Sequence, residues 1–221
     1  MNREIICLDV CEVDSALFFQ DIEPDYQFID SLVIGQYMHG FHFDQFPGIK
    51  PDILTALSFY PELANTRIRF LYRPIMQTMN SRPSLGNIFR KRQDRRYTII
   101  VNISKGKNRG LPMEKLTHTV KTGWIGHELA HICAYEKMSN LQVIWFTLKY
   151  INSHRFIRRV ERYTDLVTVE HGLAYPLYAG KEFLLNSRDL PARYRRNAGI
   201  NGLSPNEIIC CWCKYRDKDR E

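Results

Sequence analysis

The apolar positions of this chain recur at helical spacing over most of its second half. Leu116, Val120 and Trp124 lie four residues apart, and the same period runs on to His131, which predicts one long helix. A second apolar stripe predicts another long helix over about residues 154–178. The pattern therefore predicts that two long helices dominate this part of the molecule.

Two segments in the middle of the chain have the pattern of β-strands. Residues 97–103 are rich in β-branched side chains, and residues 67–72 alternate charged with apolar positions. Between them, residues 79–94 are polar and punctuated by proline and glycine, so we expect a hairpin excursion or a mobile loop. Residues 141–151 are apolar but too short to span a bilayer, which predicts a buried helix.

Helices and strands together predict an α+β fold with a small mixed sheet. The length of 221 residues favours a single domain over residues 1–221. Within it we expect a helical N-terminal part over 1–65, a core over 66–180 and a C-terminal extension over 181–221. The N-terminal part contains short helical patterns and an aromatic-rich loop with two histidines: 14–19, 26–34, 51–60, and the loop 37–48 with His39 and His42.

The composition is that of a globular protein with an excess of basic residues. Hydrophobic residues make up 44% and charged residues 25%, which excludes disorder of the whole chain. Lysine and arginine number 31 against 24 acidic residues, a net charge of +7. A solvated basic face is the simplest interpretation; an acidic partner, nucleic acid or an anionic membrane is the alternative, although no nucleic-acid-binding motif accompanies the charge. No signal peptide or transmembrane segment is predicted, so we expect a soluble, cytoplasmic protein of unspecified oligomeric state.

The six cysteines are expected to be reduced thiols. Most of them cluster at the two ends of the chain, and no export signal accompanies them. Cys210, Cys211 and Cys213 could form a second metal site, but they do not supply the two C-x₂-C pairs of a structural zinc site.

The strongest chemical signal is an HExxH segment formed by His127, Glu128 and His131 in the first long helix. Histidines four residues apart share a helix face, so both imidazoles can bind one Zn²⁺. Glu128 lies about 100° around the helix, where it can act as general base toward water activated by the metal. No other charged residue interrupts residues 123–135, as a buried active-site helix requires. The simpler alternative is a polar helix face with two hydrogen-bonded histidines.

A catalytic zinc needs three protein ligands and one open position, so a third ligand has to come from elsewhere. Glu161 on the second long helix is the strongest candidate, and Asp165, four residues later, shares its face. This spacing lets Glu161 bind the metal while Asp165 accepts the distal N–H of a zinc-bound histidine and fixes its tautomer. An ion pair of Glu161 with a neighbouring arginine is the alternative, and Glu170 and His171 are rival ligands.

HELAH followed by a helix with E-x-x-x-D resembles the gluzincin zinc metallopeptidases, which include small single-domain minigluzincins. The resemblance covers about residues 67–178 and implies a zincin-like fold that binds one zinc ion. The compact HExxHxxGxxH pattern of metzincins is absent. Carried over by position, the resemblance implies His127, His131 and Glu161 as ligands, Glu128 as general base, and Asp165 as the residue that orients a ligand.

The resemblance also implies a function, the hydrolysis of peptide bonds in a peptide or protein substrate. In this family the strand before the active-site helix is typically the edge strand along which the peptide lies, and residues 97–103 occupy that place. The alternative function is a nucleic-acid-associated or regulatory binding protein with a protease-like zinc site. Neither the substrate nor the choice between endopeptidase and exopeptidase follows from the spacing.

The tetrahedral intermediate of such a reaction needs a hydrogen-bond donor opposite Glu128. His171, Tyr175 and Tyr178 lie late on the second helical pattern and are the candidates. A donor from the aromatic-rich loop or from the C-terminal extension is the alternative.

Overall fold

The computed structural model describes residues 18–19, 48–84, 86, 90, 94–103, 113 and 116–218. These residues form a mixed α+β fold with a small three-stranded sheet and mostly helices, as predicted. Several sequence predictions lie outside the described residues: the helix at 26–34, most of the segment 14–19, most of the loop 37–48 with His39 and His42, and the thiols of Cys7 and Cys11.

The described residues contain three strands and seven α-helices. The strands are β1 (Arg67–Arg73), β2 (Met79–Pro83) and β3 (Arg96–Asn102). The helices are α1 (Lys50–Ser58), α2 (His118–Glu136), α3 (Asn140–Asn152), α4 (His154–Glu170), α5 (Ala174–Asn186), α6 (Ala192–Asn201) and α7 (Pro205–Lys218). A 3₁₀ turn at Pro61–Leu63 lies between α1 and β1. None of the described helices combines the length and apolarity needed to cross a bilayer.

Strand β3 is the centre of the sheet. It pairs in parallel with β1 and antiparallel with β2, so Ile99 lies opposite Phe70 on one side and Ser81 on the other. Residues 97–102 of β3 are all buried, as expected for a strand with neighbours on both edges. The prediction that this strand is the edge strand is therefore wrong, because β1 and β2 occupy both of its edges.

Strand β2 comes from the segment predicted as a hairpin excursion or loop. It lies at an edge of the sheet and packs against α2. Its burial alternates along the strand, with Met79, Ser81 and Pro83 buried. The edge strand next to the HExxH helix is therefore β2 and not β3.

Helix α2 is held at both ends by side chains. Thr117 caps its N-terminus by accepting the backbone N–H of Val120 at 3.4 Å. Arg95, only 3% exposed, donates to the carbonyls of Tyr135 at 3.1 Å and Met138 at 2.8 Å at the other end. Carbonyls at a helix C-terminus have no partner within the helix, so the guanidinium satisfies them. The helix that carries HExxH is thus fixed along its axis.

Two glycines allow α2 to approach its neighbours closely. Gly123 lies against the backbone of Pro176 in α5, and Gly126 lies against the side chain of Leu173, so neither position has room for a Cβ. The hydroxyl of Tyr60 donates to the carbonyl of Gly126 at 2.8 Å. The backbones of α2 and α5 therefore lie in direct contact at Gly123.

Helix α3 differs from its prediction as a buried helix. Val143 is its buried residue, whereas Leu141, Trp145, Leu148 and Ile151 are exposed. The helix packs chiefly against α4, which covers one side of it. The other side has no neighbour among the described residues, and the apolar composition of the segment does not show which sides of the helix are packed.

The second long helical pattern, predicted over 154–178, consists of two helices. Helix α4 ends at Glu170, and Gly172 adopts a φ of 85° before α5 begins at Ala174. This left-handed conformation favours glycine and ends helices. The prediction of one continuous helix is therefore wrong. It arose because the apolar period in the sequence continues across the break.

The C-terminal cysteines also differ from their prediction. Cys210 and Cys213 are disulfide-bonded, whereas Cys211 and Cys133 are buried free thiols. Cysteine spacing does not show which parts of the chain meet, so the expectation of reduced thiols is wrong for Cys210 and Cys213. Because metal sites use thiolates, these two sulfurs do not serve as ligands of a second metal.

Candidate metal centre

Helices α2 and α4 bring three metal-binding side chains together. The ligand atoms of His127, His131 and Glu161 all lie within 4.8 Å of one another. Glu161 Oε2 is 3.2 Å from His127 Nε2, and Glu161 Oε1 is 3.6 Å from His131 Nε2. Two ligands bound at about 2.0–2.1 Å to one tetrahedral zinc ion would be about 3.3 Å apart. The donor types and their spacing therefore fit one zinc ion.

Asp165 orients His127. Its Oδ1 lies 2.8 Å from Nδ1 of the imidazole, and its carboxylate is fully buried. A carboxylate accepts, so Nδ1 of His127 carries the proton and donates it to Asp165. Nε2, the atom that faces Glu161, is then the ring nitrogen left to bind a metal ion.

Thr164 gives His131 the same orientation, although sequence reasoning did not single it out. The Thr164 hydroxyl donates to the carbonyl of Val160 at 2.9 Å and lies 3.2 Å from His131 Nδ1. A hydroxyl has one proton, so the bond to Val160 leaves the Thr164 oxygen to accept from His131. His131 therefore also presents the lone pair of Nε2 to the ligand group.

Tyr150, on α3, holds the carboxylate of Glu161. Its hydroxyl donates to Oε1 at 2.6 Å, a short, charge-assisted hydrogen bond. Burial raises the pKa of Tyr150, and the charge of Glu161 raises it further, so the phenol stays protonated and keeps donating. Sequence spacing gave no signal for this contact, because the two residues lie on different helices.

Asp165 is itself fixed by later parts of the chain. Lys181 Nζ on α5 lies 2.7 Å from Oδ2, and the backbone N–H of Leu203 donates to the same oxygen at 2.7 Å. Gly202 packs against this carboxylate and has no room for a Cβ. The segment predicted as a C-terminal extension therefore supports the centre directly.

The electrostatics of the centre favour a cation. Burial lowers the pKa of His127, but its hydrogen bonds to the carboxylates of Asp165 and Glu161 outweigh burial and raise the pKa to about 10, so a metal ion at Nε2 would displace a proton. Burial lowers the pKa of His131. Burial would raise the pKa of both carboxyls, yet His131 and His127 hold the pKa of Glu161 below its usual range, and Lys181 and His127 do the same for Asp165. Two ionised carboxylates thus lie within one buried cluster.

Glu128 lies on α2 directly after the candidate ligand His127. It is 7% exposed and makes no hydrogen bond or ion pair with the described residues. Its charge adds to burial in raising the pKa of Tyr194, which sequence reasoning did not single out. The Tyr194 hydroxyl accepts the backbone N–H of Thr78 at 3.2 Å, just before β2. A protonated phenol therefore lies near the candidate base at the start of the edge strand.

The rival third ligands take part in other contacts. Glu170 accepts a hydrogen bond from Tyr215 on α7. Both ring nitrogens of His171 are engaged, Nδ1 with the carbonyl of Val167 at 2.7 Å and Nε2 with Glu62 at 2.8 Å. Neither residue belongs to the group that could hold a metal ion.

The candidate donors for the tetrahedral intermediate contact residues other than Glu128. Tyr175 and Tyr178 pack edge-to-face against Phe18 and Phe19, and His171 stacks on Tyr60. These contacts do not link the three residues to Glu128, so a donor role for them stays a prediction.

No family model, curated protein or solved structure matches this chain. The chemistry of the centre is therefore inferred from its own side chains: a His-His-Glu group, two imidazoles with Nδ1 engaged, and the Glu128 carboxylate, which no described residue contacts through a hydrogen bond.

Proposed function

We propose that this chain is a zinc-dependent metallopeptidase of the gluzincin type, with a zincin-like fold. The observation that carries the proposal is the matched orientation of the two imidazoles. Nδ1 of His127 donates to Asp165, and Nδ1 of His131 donates to Thr164, so both Nε2 atoms face Glu161. A polar helix face with two satisfied histidines does not require both rings to turn the same nitrogen toward one carboxylate. A metal ion at that point does.

The groups needed for hydrolysis lie within this arrangement. A zinc ion held by His127, His131 and Glu161 would act as a Lewis acid toward water and toward a substrate carbonyl. Glu128 follows His127 directly, is buried and has no hydrogen-bond partner among the described residues, so it can accept a proton from the attacking water and pass it to the leaving amine.

We infer that a peptide substrate lies along β2. The gluzincin resemblance implies an extended peptide beside an edge strand near the active-site helix. Strand β2, Met79–Pro83, is an edge strand packed against α2, and β3 is its strand partner among the described residues. A peptide backbone can add to such an edge through main-chain hydrogen bonds. Strand β3 cannot pair with a peptide in this way, because β1 and β2 occupy both of its edges.

Metal content and hydrolysis test the proposal together. Purified protein is expected to contain about one zinc ion per chain and to cleave members of a peptide library. Glu128→Gln is expected to keep the zinc and to lose hydrolysis by about 10²-fold or more, because it removes the proton acceptor and no ligand. Glu182→Gln on α5, whose carboxylate accepts from Asn186 at 3.1 Å, is the matched control and should keep both properties.

Two results would reject the proposal. One is a correctly folded protein that binds no zinc when zinc is supplied. The other is a Glu128→Gln variant as active as the parent.

A further inference from the structure

The outer side of α3 is apolar where a surface helix is normally polar. Leu141 is 71% exposed, Trp145 64%, Leu148 48% and Ile151 72%. They are spaced three or four residues apart, so they form one stripe along the helix. Over ten residues at 1.5 Å each the stripe is about 15 Å long. We call it the α3 stripe.

The inner side of the same helix is already used. Val143 is buried, Phe146 packs edge-to-face on Tyr135, and Tyr150 donates to Glu161. Helix α3 is therefore apolar on two opposite sides, and only one of them contributes to the protein core. Contiguous exposed apolar surface of this kind marks a site of interaction with another molecule.

A basic cavity lies at the end of this helix. It has a volume of about 350 Å³ and is lined by Arg158, Arg193, Arg196 and His154, with Asn197 and Asn201. No carboxylate lines it, and none of the three guanidiniums forms an ion pair with a described residue. His154 begins α4 three residues after Ile151, so the cavity adjoins the C-terminal end of the α3 stripe. We call it the basic cavity.

We propose that the α3 stripe and the basic cavity together form a docking surface for a bilayer that contains anionic phospholipids. The apolar side chains enter the boundary between headgroups and acyl chains, with Trp145 at the depth that tryptophan prefers. The guanidiniums of the basic cavity bind headgroup phosphates. Helix α3 then lies in the membrane plane as an interfacial helix.

The combination of the two features selects this partner. Nucleic acid would use the arginines, but it gives no reason for four exposed aliphatic and aromatic side chains on α3. An apolar groove on another protein would cover the stripe, but it gives no reason for three arginines at its end that form no ion pair with a described residue. An anionic bilayer complements both features at once, and the proposal does not depend on what the metal centre does.

Vesicle binding of the full chain tests the proposal. Sedimentation is measured with vesicles of phosphatidylcholine alone and with vesicles in which about a third of the lipid is phosphatidylserine. We expect binding at least about tenfold tighter to the anionic vesicles, and weaker binding as salt is raised.

Two double variants and their matched controls identify the surface. Trp145→Gln with Leu148→Gln removes half of the α3 stripe, and Arg193→Gln with Arg196→Gln removes two of the three guanidiniums of the basic cavity. Each is expected to weaken binding to anionic vesicles by about tenfold or more. The controls remove the same kinds of group elsewhere: Met76→Gln with Ile103→Gln, both exposed apolar residues, and Arg67→Gln with Arg69→Gln, both exposed on β1. The controls should bind like the parent.

Several outcomes would overturn the proposal. These are no binding of the parent to anionic vesicles, equal loss in test and control variants, or unaffected binding in the α3 variant. Binding of inorganic phosphate in the basic cavity without vesicle binding would mark a site for a free anion instead. A parent dimer that the α3 variant converts to a monomer, without vesicle binding, would assign the stripe to a second copy of the chain. Circular dichroism establishes that each variant is folded.

Discussion

At the scale of single residues, two adjacent residues on α4 each orient one of the two histidines. Asp165 accepts from His127, and Thr164 accepts from His131. The role of Asp165 was predictable, because a carboxylate four residues after a candidate ligand shares its helix face. Thr164 was not, because a threonine within a helix commonly bonds the carbonyl four residues back. Thr164 does that as well, and only the acceptor side of its oxygen reaches the metal centre.

Thr164→Val keeps the shape of the side chain and removes the acceptor. Zinc affinity is expected to fall about 10- to 100-fold, because Nδ1 of His131 loses the partner that fixes its tautomer. Thr147→Val on α3 is the control, since the Thr147 hydroxyl also donates four residues back, to Val143 at 2.9 Å, but contacts no ligand. Competition with a chromophoric chelator measures both affinities. Equal zinc affinities of the two variants would show that Thr164 does not orient His131.

At the scale of elements, periodicity predicted the existence of helices and strands better than their surroundings. The β-branched run at 97–103 and the alternation at 67–72 correspond to β3 and β1. The same patterns could not show that β3 is central, because that depends on β2, a five-residue strand with a mostly polar sequence. Nor could an apolar window tell a core helix from α3, because hydrophobicity does not specify which face has a neighbour.

The contact between α2 and α5 gives a prediction about packing. Gly123→Ala would raise helix propensity by about 1 kcal/mol, but its methyl group would overlap the backbone of Pro176. Overpacking of this kind costs about 1–3 kcal/mol, so a net destabilisation is expected in urea unfolding. Gly48→Ala is the control, because a Cβ there meets no heavy atom within 4 Å. A stabilised Gly123→Ala variant would mean that the two helices can separate at little cost.

At the scale of the whole molecule, the centre draws on segments far apart in the chain. Helix α3 supplies Tyr150, helix α5 supplies Lys181, and the segment after α6 supplies the N–H of Leu203. The gluzincin resemblance ended near residue 178, so none of the later support was predictable from it. Tertiary packing decides such contacts, and a single sequence carries no periodic signal for them.

Zinc should therefore stabilise the whole fold. At a free zinc concentration of a hundred times Kd, the free energy of unfolding is expected to rise by about 2.7 kcal/mol, seen as a higher Tm that chelation reverses. Glu161→Gln should lose most of this shift, whereas Glu170→Gln, on the same helix but bonded to Tyr215, should retain it. The reverse result would assign the third ligand to Glu170.

The residues of the candidate metal centre lie in two short stretches of sequence. His127–His131 supplies two candidate ligands and the candidate base, and Glu161–Asp165 supplies the third candidate ligand and both orienting groups, about thirty residues later. A search for H-E-x-x-H followed at that distance by E-x-x-T-D ignores the sheet, the N-terminal part and the tail. Such a paired pattern can therefore detect distant proteins that share this centre after the rest of the chain has diverged. Finding it on a different sheet would mean that the two helices are inherited as a unit of their own.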